Sequence, residues 1–267
     1  MNLSSAQVGS VAGIGLAAGL LGGLAGIGGS LVMIPALGLT LGFSDGRRQE
    51  QHLYMAAAMV VNVVVAASAT RQHARRGAID RTLVVGILPW LAGFNVIGVL
   101  LSNLFDGRSL KLALAGFIAF YCVYQLVLLF RRIPDFSREQ ERGTPKNLAF
   151  IGAGAGLVAG LLGLGGGVLM VPMLQLLARL GIRRAVACSA AAMSISAVFA
   201  SIAKLSSLPS LGLSVWDAIT IAAVMTPGAL IGAPIGARLA HVLPLPAVRA
   251  SVSVLLLIAA ARVAGLL

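Results

Sequence analysis

The sequence predicts an all-α polytopic membrane protein made of two homologous, inverted repeats. Each repeat holds a glycine-broken or re-entrant helix pair followed by three transmembrane helices. Three observations predict this. First, the 267-residue chain is 58% hydrophobic and only 10% charged, where a soluble protein carries about a quarter charged residues. Its mean hydropathy is +0.97, and its uncharged runs reach or approach the ~20 residues that cross a bilayer. Second, a glycine–proline segment occurs twice. Third, the basic residues fall unevenly on the two sides that the runs define. Membrane β-barrels would show alternating strands of about 10 residues, which long unbroken apolar runs do not resemble.

In chain order, the first repeat occupies 1–130, a polar linker 131–147, and the second repeat 148–267. A small-residue helix over about 5–25 runs into the cluster "GIGGS" (26–30). A short helix follows over 31–43, then spans over 53–70, 82–104 and 110–130. The second half repeats the plan: a helix over 147–162, the cluster "GLGGG" (163–167), a short helix over 168–181, and spans over 185–203, 214–240 and 247–266. Asp80 and Asp217 stand before the third span of each half, where helix N-caps belong. Arg249 and Arg262 bracket the last span and are long enough to snorkel to the two interfaces.

The duplication is explicit when Pro35 is laid on Pro172. "GLAAGLLGGLAGIGGSLVMIPAL" then lies over "GAGAGLVAGLLGLGGGVLMVPML", with Gly15/Gly152, Gly19/Gly156, Gly23/Gly160, Gly26/Gly163, Gly28/Gly165 and Gly29/Gly166 coincident. Arg47-Arg48 falls on Arg183-Arg184, "AAAM" at 56–59 on "AAAM" at 190–193, and Asn62 on Ser196. A match this long marks an internal repeat.

The 20 Lys and Arg test the topology. If each glycine-broken pair makes one crossing, eight crossings result and the basic residues divide 11 to 9. If each pair is a hairpin, or both its helices cross, every half adds an odd number of net crossings and the division becomes 14 to 6. The positive-inside rule prefers the second arrangement. It inverts the halves and leaves both termini outside. The parallel eight-crossing arrangement is its rival.

The glycines have two uses. Gly15, Gly19 and Gly23, like Gly152, Gly156 and Gly160, recur every four residues, a spacing that packs membrane helices closely. The near-consecutive glycines of the two clusters cost a helix about 1 kcal/mol each against alanine, so they predict breaks. A break frees backbone N–H groups at the start of the next helix, which survive in a bilayer only beside protein or a wet cavity. A helix N-terminus carries about half a positive charge and is a ready anion site. We therefore expect a small anion to be bound by Gly28, Gly29 and Ser30 and by Gly165, Gly166 and Gly167. Asn62, Ser194 and Ser196 are expected to complete the site, while Gly26, Pro35, Gly163 and Pro172 shape the breaks. Leucine at Gly166 is expected to abolish binding without unfolding the protein. Interhelical hydrogen bonding is the competing reading for Asn62 and Ser196, and the preferred one for Asn95, Gln125 and Gln175.

Other classes find no support in the residues. All eight acids lie at span ends or in loops, so nothing suggests a cation carrier or a carboxylate relay. His52, His73 and His241 read as loop or interface residues, no triad spacing appears, and no enzyme is expected. Cys122 and Cys188 sit in apolar runs as small hydrophobes. No metal spacing and no cofactor are expected. The net charge of +12 lies in short clusters between apolar runs, which is loop patterning and not nucleic-acid binding. No Lys or Arg precedes Arg47, so the basic start of a signal peptide is not expected.

The glycine segments ending "GIGGSLVMIP" and "GLGGGVLMVP", each followed by "RR" and a small-residue span, resemble the sulfite exporter TauE/SafE family, also called the toluene sulfonate uptake permease family. "HARRGAID" (73–80) is similar to its His-x-x-x-Gly-x-x-Asp loop, and "GALIGAPIGARLAHVLP" (228–244) to its second-half signature. The resemblance implies a duplicated helical carrier for sulfur oxyanions or organosulfonates such as sulfite and sulfoacetate, often moving them outward. This chain departs from the pattern at Ser30, at Cys188-Ser189, at Ser196, and at Trp90 and Phe94, which stand where the second half has Gly228 and Gly232. The expectation is a multi-pass secondary transporter of a bacterial-type inner membrane, working by alternating access. Its partners would be lipid and a small anion, and homo-oligomerisation is compatible with it. A permease for another organic anion or a neutral metabolite, and a non-transporting scaffold, are the alternatives.

Overall fold

The structure, a computed structural model, describes residues 4–25, 28–43, 49–131, 141, 143–239, 242 and 257. Within them the chain forms α1 (Ser5–Ala25), α2 (Ser30–Thr40), α3 (Glu50–Ala74), α4 (Arg81–Ser102), α5 (Gly107–Arg131), α6 (Pro145–Leu162), α7 (Gly167–Leu176), α8 (Ile182–Ser207) and α9 (Val215–Leu239). No strand occurs among the described residues. All but α2 and α7 are long and apolar enough to cross a membrane. The expected last span, with Arg249 and Arg262, lies outside the described residues, as do Gly26 and Arg47-Arg48.

Two antiparallel helices form the centre. In α3 and α8, 67% and 72% of the apolar window is buried inside the protein, against at most 44% in the other spans. Their opposite ends meet: His52 near the start of α3 touches Lys204 near the end of α8. The Asp80 N–H, just past α3, lies 3.4 Å from Cys188 Sγ at the start of α8.

Each of the first small-residue helices packs on a helix of the other half. Along α6, carbonyls of α4 stand where Cβ atoms would be: Ile87 O against Gly152, Leu91 O against Gly156 and Asn95 O against Gly160. Along α1, the same role falls to Met225, Ala229 and Ala233 of α9 against Gly15, Gly19 and Gly23. Residue numbers rise together in both pairs, so each pair is parallel. α9 answers with its own glycines, Gly228, Gly232 and Gly236, against carbonyls of α1. α4 contributes Gly98, whose missing Cβ would meet Leu157 O of α6, while at Trp90 the room comes from α6, with Trp90 Cβ beside Gly152.

Both short helices turn back along their long neighbours. The Asn147 side chain, at the start of α6, donates to Leu177 O, just past the end of α7, at 3.4 Å. The Cβ that Gly154 lacks would lie 3.5 Å from Met173 of α7. α2 returns past α1 and ends where Tyr54 OH of α3 donates to Gly42 O at 2.5 Å.

Asp80 caps α4 as expected, accepting from Thr82 N at 3.0 Å and Leu83 N at 3.3 Å. Its other oxygen pairs with Arg184 of α8 at 2.7 Å, and Arg184 also pairs with Glu141. Asp217 is not a cap. α9 begins earlier, at Val215, and Ser214 takes the capping place, accepting from Asp217 N at 3.3 Å. The Ser-x-x-Asp spacing leaves Asp217 in the first turn, where its charge still favours the helix dipole. Asp80→Ala, which removes both a cap and an ion-pair partner, should cost about 1–2 kcal/mol. A melting curve with no shift relative to wild type would refute that.

The histidines differ from expectation. α3 starts at Glu50 and runs to Ala74, past the predicted ends on both sides, so His52 and His73 are helical and buried, at 0% and 1% exposure. His241 lies outside the described residues. The described acids, Glu50, Asp80, Asp106, Glu141 and Asp217, do sit at helix ends or connections.

Candidate functional site

The two glycine breaks meet beside the middle of α3. At the first, Gly28 has φ +76° and Gly29 occupies the N-cap of α2. Gly29 N donates to Asn62 Oδ1 at 2.9 Å, and Asn62 Nδ2 donates to Ser30 Oγ. Ser30 and Asn62 are fully buried. At the second, Gly163 ends α6 in the left-handed conformation, Gly165 has φ +71°, and Gly166, at φ +95°, precedes α7. The N-cap residues themselves, Gly29 and Gly166, supply no side-chain cap.

The breaks share their surroundings. A Cβ on Gly28 would lie 2.9 Å from Met193 Cε, 3.3 Å from Asn62 Oδ1 and 3.6 Å from Leu164 O of the second break. A Cβ on Gly165 would lie 2.6 Å from Asn62 Nδ2 and 3.3 Å from Met193 Cε. Asn62 of α3 and Met193 of α8 thus hold both tips. The helices after them leave in different directions, α2 toward the Tyr54 end of α3 and α7 back toward the start of α6. A small cavity of about 10 Å³, room for a water molecule, opens beside the tips between Gly22, Gly28, Val65, Ala66, Ala190 and Met193.

Asn62 Oδ1 does what an anion's oxygen would do there: it accepts the first free N–H of a helix N-terminus. The two ends together offer about one unit of positive charge without a buried Lys or Arg at the tips. Pro35 and Pro172 lie buried inside α2 and α7, where each withholds a backbone N–H.

Ser194 and Ser196, the other two side chains expected at the site, form hydrogen bonds with residues outside the two breaks. Ser196 accepts from Asn95 Nδ2 at 2.9 Å, a bond between α8 and α4. Ser194 turns to its own helix, donating to Ala191 O at 2.8 Å. Gln125 donates to Tyr121 OH at 2.9 Å within α5. Leucine at Gly166 is not a clean probe of binding, because φ +95° is a conformation that side-chain-bearing residues rarely adopt. Lys111 lies over the Phe43 ring, its Nζ 4.7 Å from the centroid.

Sequence reasoning missed one cluster. Lys204, with 0% exposure, joins His52, Ser102 and Asn103 through hydrogen bonds of 2.8 Å each. The only signal was a lysine just past the end of the apolar span predicted over 185–203, and its partner His52 lies 152 residues away in the chain.

Known proteins are similar to this chain in sequence. The family described as Sulfite exporter TauE/SafE matches residues 11–263. Two relatives are each called "Probable membrane transporter protein MamO". The one from Magnetospirillum gryphiswaldense is 27% identical over 263 residues, covering 86% of this chain and 40% of that protein. The one from Paramagnetospirillum magneticum is 26% identical with the same coverage. The chain therefore spans about two fifths of the length of these curated relatives. No solved structure matches it. The names describe transport and not catalysis. With seven apolar spans among the described residues and a family match across nearly its whole length, the chain belongs to the Sulfite exporter TauE/SafE family of multi-pass membrane transporters.

Proposed function

We propose that this chain is a secondary transporter of small sulfur-containing anions, sulfite or an organosulfonate, bound between the amino ends of α2 and α7. The observation that carries the reading is the convergence of both glycine breaks on Asn62 and Met193. Hydrogen bonds to a charged group are each worth about 1.5–3 kcal/mol. A few from Gly29, Ser30 and the Gly165–Gly167 backbone offset much of the cost of dehydrating a small anion. The sulfur class comes from the family's description.

The repeats are inverted in this reading. The antiparallel α3 and α8, and the hairpins that return to opposite ends of them, support it. The basic residues agree: Arg71, Arg75, Arg76, Arg81, Arg179, Arg183 and Arg184 lie at the junctions by the end of α3 and the start of α8, where Asp80 and Arg184 meet. By the positive-inside rule that is the cytoplasmic side, with the start of α1 outside. Rocking of one repeat against the other around the tips then alternates access.

The test is a thermal-shift screen of the purified full chain against sulfite, sulfoacetate, thiosulfate, sulfate and taurine. A ligand of the native state at a hundred times its Kd adds about 2.7 kcal/mol of stability. We expect sulfite or sulfoacetate to raise the melting temperature. A flat response to every anion refutes the proposal.

A further inference from the structure

Lys204 sits in the last two turns of α8, fully enclosed. Its ammonium donates to His52 Nδ1, Ser102 Oγ and Asn103 Oδ1, each at 2.8 Å. All three acceptors are neutral, and among the described residues no carboxylate pairs with it. An ionisable residue inside a membrane span marks a functional path by default.

The geometry fixes the imidazole. An ammonium only donates, so His52 Nδ1 accepts, and the ring's own proton lies on Nε2, 3.1 Å from Phe105 O. Two cations in contact cannot both ionise in a buried site, so the pair holds one excess proton or none. That proton has two homes, Lys204 Nζ and His52 Nδ1. The ring reaches from the buried lysine to the α4–α5 turn, where Phe105 is half exposed. An imidazole can take a proton on one nitrogen as it gives one up from the other, and here one nitrogen meets Lys204 while the other faces the α4–α5 turn.

The neighbouring ionisable groups are few. Glu50 shares α3 with His52, Asp106 and Arg108 stand at the start of α5, and Asp217 is in the first turn of α9. Of these groups, His52 alone touches Lys204. The Asp106 carboxyl, held below the usual range by hydrogen bonds from Ser109, stays anionic in the turn beside His52. On the other side Met55 stands between the cluster and the second glycine break. Met55, one turn along α3 from His52, packs on Gly163, its Cγ 2.9 Å from where that glycine's Cβ would be.

We propose that Lys204 and His52 form a proton-binding site that couples proton movement to anion movement. One proton bound at the pair offsets one negative charge at the tips, so a monovalent anion and its proton cross as a neutral set. Lys204 gives its proton to His52 Nδ1 as the ring sheds its Nε2 proton to water at the half-exposed Phe105 turn, and the same steps run in reverse on uptake; the Phe105 carbonyl only orients the ring. The coupling rests on the anion reading given above; the proton site does not.

The full chain in liposomes, loaded with a pH-sensitive dye and given a gradient of methanesulfonate, tests it. That anion keeps one charge at every pH used. Wild type should move a proton with each anion, and a one-unit pH gradient should accumulate the anion about tenfold. Lys204→Met and His52→Gln, checked for folding by melting, should still pass anion but show no proton movement and no pH-driven accumulation. Lys204→Arg, which cannot release its proton, should keep anion exchange and lose net transport. Anion flux without protons in wild type, or undiminished proton flux in both variants, overturns the proposal. If no methanesulfonate moves, the nitrogen NMR signal of Lys204 decides, identified by its loss in Lys204→Arg. A signal that titrates with pH and shifts in His52→Gln supports the site, and one that never titrates overturns it.

Discussion

Asn62→Asp is expected to abolish anion binding while leaving the protein folded. The wild-type amide already places an oxygen 2.9 Å from Gly29 N. A carboxylate in the same place makes a charge-assisted bond, roughly twice as strong. The Ser30 hydroxyl, which accepts from the amide, can rotate and donate instead. The dipoles of α2 and α7 also favour the negative charge. The site is then filled by an anion tethered to α3, at an effective concentration of about millimolar or more, and the loss of affinity should exceed about a hundredfold. Asn62→Ala gives the opposite control. It vacates the oxygen position and leaves Gly29 N–H to the ligand, so binding should stay within about tenfold of wild type. Calorimetric titration with sulfite separates the two. Wild-type affinity in Asn62→Asp would place the anion elsewhere.

Gly160→Leu should give the largest loss of stability. The carbonyl of Asn95 occupies the position a Cβ would take, and Val99 N is 2.7 Å from it. These are backbone atoms, so relief requires α4 and α6 to separate along their whole contact. Overpacking of this kind costs about 3 kcal/mol or more, and it would disturb the second break three residues later. Gly93→Ala on α4 is the matched control, since nothing lies within 4 Å of that position. It should hold or gain stability, by up to about 1 kcal/mol. Equal melting temperatures for the two variants would contradict the close crossing.

Much of the architecture was legible because periodicity and glycine spacing are local. The predicted helix over 5–25 coincides with α1, and the short helices after each glycine cluster appear as α2 and α7. The four-residue glycine spacing announced close packing but not its partner. That α6 meets α4, and α1 meets α9, depends on contacts between distant stretches of chain. Asn62 was legible as a polar residue in mid-span. Its bond to Gly29 was not, because it depends on the break folding back to α3. Ser194 shows the limit of pattern reading. It lies two residues from Ser196, about 200° around α8, and its hydroxyl goes to Ala191 O. Lys204 and His52 escaped because each alone looks like an interfacial residue, and only folding brings them together.

The exchange of partners between halves bears on biogenesis. α1 leaves the ribosome about 200 residues before α9, whose carbonyls occupy its glycine face. Until then that face lacks the partner it has in the folded protein. Neither half, expressed by itself, can cover its own first helix, so split chains should assemble only when co-expressed.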